Sequence, residues 1–365
     1  MSHPGHAHML VVQTMPSDDP VVNATLGMRL RLVGLGPMDV VAVTGVGRAR
    51  AEWASDQVNV RTKRGVFWPV RAMPSVVTML RMYRPKVVAV QDEWSALLLS
   101  LWPRRWRRWT LVMDKWGLPA EELELSRGPG LKSRTLRGVE WWNLRRIDVL
   151  ITVSERLATI VRERGASRIV VVPNGLPSDE VVRHTGAPTT ETLLAYVGGG
   201  QRYQCSNETV ELLAEVSAYA SHVRVALVSS DASLRSLATS RGIDTYSMSQ
   251  TQARLFTSKC TAVVALRGDH LAVYVAAPVK IAEAALAGVP VVMTESASEL
   301  VHEMVACGAA LLVDYRSPDI PAIVRWLDIQ QALPRKIREQ RTENMRELFS
   351  MEGYREALAE AWDVV

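Results

Sequence analysis

The sequence lacks several features that mark particular classes of protein. It has only three cysteines in 365 residues, and none of them belongs to a CxxC pair: Cys205, Cys260 and Cys307. This wide spacing excludes a disulfide framework and a cysteine-rich zinc site, and it fits a reducing compartment. No apolar run approaches the ~18 residues that a membrane span needs, and residues 1–9 lack the basic start and apolar core of a signal peptide. These absences predict a cytoplasmic protein.

The sequence also lacks a complete dinucleotide-binding fingerprint. Residues 45–50 read GVGRAR after a predicted strand, but Arg50 stands where the fingerprint requires a third small residue. In a second candidate, which begins with Gly34-Leu35-Gly36, Asp39 occupies that same position. Without that small residue, helix and strand cannot pack closely around a pyrophosphate. Use of NAD or FAD is therefore not expected.

What the chain does contain is a regular alternation of short β-branched runs and longer stretches of helical periodicity. This alternation is typical of βαβ units on a parallel sheet. Strands are predicted at residues 9–14, 39–44, 86–91, 110–114, 148–153, 168–172, 193–197, 223–228, 261–265, 289–294 and 309–313. Helices are predicted at 23–33, 75–83, 93–101, 131–146, 154–164, 208–218, 232–241, 279–287, 297–307, 320–330, 336–349 and 351–362.

A polar stretch without periodicity divides the alternation into two halves. Residues 177–192 contain Pro177, Gly186 and Pro188, and they are the best candidate for a linker. We therefore predict one α/β lobe at 1–176, a second at 193–349, and a helical tail. The net charge of +5 suits phosphorylated substrates, an anionic membrane surface or nucleic acid, and it does not choose among them.

The clearest chemical signal is the segment 277–292, APVKIAEAALAGVPVV. Pro278 suits the first turn of a helix, and Lys280 and Glu283 would project from one face of that turn. Free amides at a helix start, together with a lysine, form an anion site, and a carboxylate one turn deeper is placed to accept two ribose hydroxyls. The alternative is an ordinary surface ion pair worth ~0.2–0.5 kcal/mol.

A glycine-rich loop follows the first strand of the second half. Gly198, Gly199 and Gly200 precede Gln201 and Arg202, so backbone amides can approach a ligand closely while the arginine meets a phosphate. The alternative is a plain turn with a solvated arginine.

These segments resemble the donor-binding signature of retaining GT-B glycosyltransferases of the family 4 type, P-x-K-x-x-E-A-x-A-x-G-x-P-V-V. Val153-Ser154-Glu155 with IVVVPNG at 169–175 is similar to the end of the family's first lobe, and Tyr196-Val197-Gly198-Gly199 is similar to the start of its second. The similarity spans about residues 110–315. It implies an α/β GT-B fold with two Rossmann-like lobes facing an interlobe cleft, and a C-terminal helix, 350–365, that crosses back to the acceptor-binding first lobe.

The resemblance also implies an activity and a set of roles. Glu283 would hold the ribose of a nucleoside-diphosphate sugar, while Lys280, Arg202 and Arg267 would neutralise its diphosphate. Gly198, Gly199, Gln201, Pro278 and Val279 would complete the donor site, with Lys280, Arg202 and Asp114 in catalysis. The sugar would pass, with retained configuration, to a hydroxyl of a lipid-linked or cell-surface saccharide or a small glycoside. No cofactor and no metal are expected.

Two positions depart from the family pattern. Val275 stands where many relatives carry a second glutamate, and Trp116 in Asp114-Lys115-Trp116-Gly117 replaces the histidine of a D-x-H-G turn, although Glu121-Glu122 keeps the usual offset. Four interpretations of Trp116 are compatible with the sequence: an enzyme with an unusual donor sugar, a slow enzyme, an inactive relative that only binds the donor, or a structural role for the tryptophan. A nucleotide-sugar 2-epimerase-like isomerase, with Asp269 and His270 as acid and base, is a further alternative.

A run of tryptophans and arginines stands outside the family pattern. Residues 102–109 read WPRRWRRW, and on a helix Trp102, Trp106 and Trp109 would share one stripe opposite the arginines, as in interfacial membrane segments. This predicts peripheral contact with the inner face of the cell membrane. The alternative is a basic loop, because Pro103 interrupts a helix. No nucleic-acid-binding module surrounds the run, so nucleic acid is not expected as a partner.

Overall fold

A computed structural model describes residues 7–16, 26–45, 53–60, 67–174, 191–200 and 202–363. The chain divides into two compact units, the first made of Met1–Pro173 with Met351–Val365 and the second of Asn174–Ser350. Most of the predicted linker, residues 177–190, lies outside the described residues, and Thr192 at its end already begins a strand.

The first unit is built on a seven-stranded parallel sheet. Its strand order is β3-β2-β1-β4-β5-β6-β7. Central strands such as β4 are buried at every position, as expected of strands covered on both faces. The strands are β1 Met9–Pro16, β2 Val40–Gly45, β3 Asp56–Val60, β4 Val87–Val90, β5 Thr110–Lys115, β6 Val149–Thr152 and β7 Ile169–Val171.

Helices cover this sheet at the predicted places, with three differences. They are α1 Met28–Leu32, α2 Phe67–Tyr83, α3 Glu93–Ser100, α4 Pro119–Arg127, α5 Leu131–Leu144 and α6 Glu155–Glu163. Part of the predicted helix 23–33 lies outside the described residues. Helix α2 extends eight residues further toward the N-terminus than predicted and contains Pro74. Helix α4 was not predicted, because PAEELELSR has no apolar stripe.

The tryptophan-rich run is not a helix, so the predicted tryptophan stripe is wrong. Only Arg104–Trp106 form a single 3-10 turn, which follows Pro103 in an extended conformation. Proline has no backbone N–H and its ring obstructs the preceding turn, so the helix of residues 93–100 cannot continue through it. Trp102 and Trp109 are half-buried and Trp106 is exposed.

The second unit repeats the design on a six-stranded parallel sheet of order β10-β9-β8-β11-β12-β13. The strands are β8 Thr192–Val197, β9 Val223–Val228, β10 Asp244–Tyr246, β11 Ala262–Ala265, β12 Val291–Met293 and β13 Ala310–Leu312. The helices are α7 Ser206–Tyr219, α8 Ala232–Ser240, α9 Gln250–Thr257, α10 Leu271–Tyr274, α11 Val279–Leu286, α12 Val301–Ala306, α13 Ile320–Ala332 and α14 Arg335–Phe349. The predicted helix 297–307 is thus shorter, and a 3-10 turn, Glu295–Ala297, precedes it.

Strands β3 and β10 and helices α9 and α10 were not predicted. Both strands lie at a sheet edge, where half the positions face solvent and no apolar run is required. Helix α10 has only four residues, too few to show a helical period.

The end of the chain returns to the first unit, as predicted. After a 3-10 turn at Glu352–Tyr354, helix α15, Arg355–Ala361, packs on the sheet. Leu358 and Trp362 are fully buried in the first unit's core beside Met9 and Val40. His8 Nε2 lies 2.7 Å from the carbonyl oxygen of Trp362. No helix in the described part of the chain is long and apolar enough to cross a membrane.

Candidate functional site

Helix α11 presents Lys280 and Glu283 as its sequence predicts. The helix begins directly after Pro278, whose fixed φ suits a helix start. Ile281, Ala282, Ala284 and Ala285 face the core and are buried. By contrast, part of the Lys280 side chain is exposed and part is desolvated by its neighbours, and the Glu283 side chain retains 16% of its surface. The apolar positions therefore orient the two charged side chains away from the core.

Glu283 has a charged partner that the sequence did not suggest. Nε of Arg254, on α9, lies 2.8 Å from Glu283 Oε1. Oε2 of Glu283 forms no hydrogen bond with any described residue. The arginine therefore fixes one carboxylate oxygen and leaves the other for a ligand.

Lys280 and Arg267 are neighbouring cations, and neither forms an ion pair with a described carboxylate. Burial lowers the pKa of both side chains; Arg267 lowers that of Lys280 further, while Glu283 opposes the shift. Among the described residues no carboxylate lies within ion-pair distance of either side chain. The guanidinium of Arg267 instead stands 5.1 Å from the ring centre of Tyr203. Two such cations attract a multiply charged anion.

Backbone hydrogen bonds fix Arg267 at the end of β11. Thr294, after β12, accepts a 2.9 Å hydrogen bond from the Arg267 N–H and donates one to its carbonyl oxygen. Ser296 also donates to that oxygen, at 3.0 Å. The Arg267 side chain therefore extends from a backbone position that is fixed between the ends of two parallel strands.

The glycine loop follows β8 and is held by Tyr196. The Tyr196 hydroxyl donates to Gly199 O at 2.7 Å and lies 2.6 Å from Gln204 Oε1. A Cβ at Gly198 would lie 2.2 Å from the Tyr196 ring, whereas a Cβ at Gly199 would meet no atom of the described residues within 4 Å. Gly198 is therefore required by packing, and Gly199 adjoins open space.

Two predicted members of this loop cannot be placed fully. Gln201 lies outside the described residues, and for Arg202 only the backbone, in the 3-10 turn Arg202–Gln204, is described. Their assigned roles stay predictions.

These elements converge on one edge of the second sheet. Gly198, Arg267 and Thr294 follow β8, β11 and β12 respectively, and the carboxyl ends of parallel strands are where ligands bind in open α/β sheets. Asn174, of the PNG sequence, donates a 3.0 Å hydrogen bond to Ala277 O, next to Pro278. The second unit thus gathers the predicted glycines, Arg267, Lys280 and Glu283 into one region.

In the first unit, Asp114 and its neighbours are engaged in buried ion pairs. Asp114, 3% exposed, pairs with Arg29, which also donates to Val172 O at 2.7 Å. Lys115 bonds to Glu93 and, at 2.7 Å, to Glu140. Burial would lower the pKa of Lys115, but the two carboxylates together raise it. The catalytic role predicted for Asp114 stays a prediction.

Trp116, which directly follows Lys115 in the sequence, is half-buried. Its Nε1 is buried and has no hydrogen-bond partner among the described residues. Gly117 is covered by Glu122, whose Oε1 would lie 2.3 Å from a Cβ there, and burial raises the pKa of Glu122. The D-x-H-G-like turn therefore keeps its acidic neighbour while a tryptophan occupies the histidine position.

Comparison with known proteins agrees with this arrangement. Residues 21–175 match the family model described as a glycosyl transferase 4-like domain. Residues 21–175 therefore resemble a glycosyl transferase 4-like domain, and the chain as a whole has the two-lobe GT-B fold of solved glycosyltransferases. No curated protein sequence matches it.

The chain shares its fold with solved structures over nearly its whole length. A sucrose-phosphate synthase from Thermosynechococcus elongatus is 15% identical, with a TM-score of 0.75 and 98% of each chain covered. HepE from Anabaena, solved in complex with UDP-glucose, is 13% identical, with a TM-score of 0.67; the match covers 98% of this chain and 100% of HepE. WaaG, a glycosyltransferase involved in lipopolysaccharide biosynthesis, is 14% identical, with a TM-score of 0.65 and coverage of 97% and 99%.

Several residues of the site were missed in the sequence. Arg254 lies on α9, a helix that was not predicted. Ser249 and Gln252 in fact form a capping box, with Ser249 N donating to Gln252 Oε1 at 3.0 Å. This S-x-x-Q spacing is a helix-start signal that would have placed Arg254 on a helix. Tyr196 and Thr294 act through tertiary contacts that carry no local signal.

Acidic and metal-ligating side chains are dispersed in the part of the chain that the structure describes. In the ranges that the structure describes, no three His, Cys, Asp or Glu side chains form a group that could hold a metal ion. Asp269 is ion-paired with Arg316 at 3.1 Å, and His270 Nδ1 caps α10 by accepting from Ala272 N at 3.2 Å. Both acid-base candidates for an isomerase therefore already have partners.

Proposed function

We propose that this chain is a glycosyltransferase that moves a sugar from a nucleoside-diphosphate sugar to an acceptor hydroxyl of a saccharide or glycoside, with retention of the anomeric configuration and without a metal. The donor site is the carboxyl edge of the second sheet. Glu283 Oε2 accepts from the ribose, Lys280 and Arg267 bind the diphosphate, and the sugar or phosphate lies against Gly199.

The observation that carries this proposal is the pair of cations Lys280 and Arg267. Their pKa values are lowered, so the charged forms are held at a cost that an anionic ligand would offset. The open space at Gly199 adjoins the loop that contains Tyr203, which contacts Arg267. A diphosphate supplies the charge and the size that this arrangement accommodates.

The same cations account for catalysis. When the bond between sugar and diphosphate breaks, negative charge grows on the leaving diphosphate, and cations fixed in advance stabilise that charge. Thr294 and Tyr196 contribute by holding Arg267 and the glycine loop in position. HepE, a protein of the same fold, is known in complex with UDP-glucose, which supports a nucleotide sugar as the donor class here.

A thermal-shift screen with a panel of uridine and guanosine nucleotide sugars tests the proposal. A ligand that binds only the folded state raises the melting temperature, so we expect one donor class to do so. The double variant Lys280→Ala/Arg267→Ala should lose the shift, whereas Arg325→Ala, at an exposed arginine of the same unit, should keep it. An unchanged shift in the double variant would refute the assigned site.

Product analysis separates transfer from the other chemistries. With donor and acceptor together, an α-linked product from an α-linked donor is expected. Incubation with donor alone should give no epimer, since Asp269 and His270 are engaged elsewhere. An epimer would favour the isomerase, and binding without transfer to any acceptor would favour a silent relative.

A further inference from the structure

The first unit carries an exposed face that the donor site does not use. We name it the Trp106–Trp141 face and define it by Leu101, Arg105, Trp106, Arg108, Trp141 and Arg145. All six residues are exposed. The face combines large apolar side chains with arginines on one surface of a unit other than the one that holds the proposed donor site.

Hydrogen bonds join the two segments that form this face. Arg104 Nη2 donates to Ile147 O at 3.0 Å, and Arg107 Nη2 donates to Arg146 O at 3.4 Å. Trp142 Nε1 donates to Ser100 Oγ at 3.2 Å, which ties the end of α5 to the end of α3. The loop after α3 and the last turn of α5 therefore form one continuous surface.

Helix α5 extends the face along its length. Leu131, Arg134, Gly138, Trp141 and Arg145 follow at intervals of three and four residues, so they share one side of the helix. All five are exposed, Leu131 to 82%. The Arg145 guanidinium lies 3.4 Å from the centre of the Trp141 ring, so cation and aromatic side chain form a stacked pair.

The face is strongly positive. Segments 101–109 and 131–148 contain nine lysines and arginines and only two carboxylates, Glu140 and Asp148. Glu140 is buried against Lys115, and Asp148 is engaged by Arg104 at 3.0 Å and Arg107 at 3.2 Å. Both carboxylates are thus already neutralised, and the exposed arginines remain available to an anionic partner.

We propose that the Trp106–Trp141 face docks on the surface of an anionic lipid membrane. Leu101 is 53% exposed, Trp106 64% and Trp141 51%, and such side chains gain free energy when they leave water. Tryptophan suits the membrane interface because its ring is apolar and its N–H is polar. Arginines beside it attract anionic headgroups. The phosphate backbone of a nucleic acid would contact the arginines but leave Leu101 and Leu131 exposed to water. The exposed apolar side chains therefore favour a lipid membrane over a nucleic acid.

Vesicle co-sedimentation of the full chain tests this docking. We expect binding to vesicles of phosphatidylcholine with about one third phosphatidylglycerol, little binding to phosphatidylcholine alone, and weaker binding in 0.5 M salt because screening shortens electrostatic attraction. Trp106→Ala/Trp141→Ala and Arg105→Glu/Arg108→Glu should each weaken the partition at least ~10-fold.

Matched changes in the second unit serve as controls. Tyr219→Ala removes an exposed aromatic and Arg325→Glu reverses an exposed arginine, and both variants should bind vesicles as the unchanged protein does. All variants alter exposed side chains, so their melting temperatures should be equal. Donor-dependent shifts should also persist, which separates this proposal from the donor site.

Three outcomes would overturn the proposal. Equal binding to neutral and anionic vesicles would show that the arginines do not contribute to docking. Unchanged binding by Trp106→Ala/Trp141→Ala would show that the tryptophans do not contribute. Binding to a DNA duplex that the arginine changes abolish and the tryptophan changes leave intact, without vesicle binding, would assign the face to nucleic acid.

Discussion

Single residues set the chemistry of the donor site, and the pairing of Arg254 with Glu283 is the most informative contact. A carboxylate that accepts from a guanidinium at 2.8 Å keeps its charge and its orientation. Because only Oε1 is engaged, Oε2 can accept from a ribose hydroxyl without displacing the arginine. Arg254 is therefore interpreted as a residue that orients Glu283.

Replacing Glu283 with alanine should reduce donor affinity by roughly 10- to 150-fold, because a hydrogen bond to a charged group contributes about 1.5–3 kcal/mol. Isothermal titration with the donor found in the thermal-shift screen measures this. Glu303→Ala, at an exposed glutamate of the same unit, should leave the affinity unchanged. Arg254→Ala should reduce donor affinity less than Glu283→Ala does, because the Glu283 carboxylate remains. A larger loss of affinity in Arg254→Ala would contradict the assigned roles.

Lys280 should make catalysis depend on pH. Since burial lowers its pKa, the charged form that binds diphosphate is lost as pH rises through a value below the ordinary lysine pKa of about 10.4. Donor affinity and turnover should therefore fall at high pH and be retained at lower pH. Lys280→Arg should hold both more nearly constant, because arginine stays protonated.

Lys280→Ala should lower turnover by ~10²-fold at neutral pH, the cost of losing one stabilising charge at the leaving group. Steady-state kinetics with saturating acceptor measures the change. Equal turnover in Lys280→Ala and the unchanged enzyme would exclude a role for this lysine in leaving-group stabilisation.

At the scale of elements, the glycine loop and α11 are both positioned by neighbours distant in sequence. Tyr196 holds Gly199, Asn174 holds Ala277, and Arg341 of α14 donates to Gly288 O at 3.2 Å where α11 ends. Gly288 has a φ of +80°, which glycine adopts without a Cβ penalty. The start and the end of α11 are thus fixed independently of its own helix propensity.

Gly199→Ala tests whether the open space at this loop belongs to the donor. The new methyl would meet no atom of the described residues within 4 Å, so the free energy of unfolding should change by no more than about 0.5 kcal/mol. The KM for the donor should rise at least ~10-fold, equivalent to about 1.4 kcal/mol.

The control for this change is Gly138→Ala in helix α5, where a Cβ also meets nothing within 4 Å. This variant should stabilise the fold by ~0.5–1 kcal/mol, because alanine has the better helix propensity, with no effect on KM. A donor KM that is equally unaffected in Gly199→Ala would place the ligand elsewhere.

At the scale of the whole molecule, the first unit is completed by the last residues of the chain. Trp362 is 1% exposed and joins Met351, Leu358 and Ala361 in a core whose other members lie between Met9 and Val172. The first unit's sheet therefore acquires its full core only after the second unit has been synthesised.

Trp362→Ala should destabilise the first unit by about 3–5 kcal/mol, the usual cost of truncating a buried tryptophan. Hydrogen–deuterium exchange should show lost protection in β1 and β4 and retained protection in β8 and β11. Trp326→Ala, at a half-buried tryptophan packed against the core of the second unit, should give the opposite pattern. Equal loss in both units after Trp362→Ala would contradict their division into separate cores.

The sequence by itself determined the α/β class, most strands and helices, and the placement of Lys280 and Glu283 on one helix face. These features have local causes: apolar runs that must be buried on both faces, helical periodicity, and a proline at a helix start. The helical tail was likewise visible as periodicity, and its return to the first unit followed from the family resemblance.

Tertiary structure alone decided which charges meet. Arg254 reaches Glu283 across 29 positions, Arg29 reaches Asp114 across 85, and Trp106 and Trp141 share a surface because two helix ends are tied together. Strands β3 and β10, each at one edge of its sheet, and the acidic helix α4 escaped prediction because neighbouring elements, not their own patterns, stabilise them. Contacts between side chains distant in sequence depend on how elements pack, and packing is a property of the whole chain that no local pattern encodes.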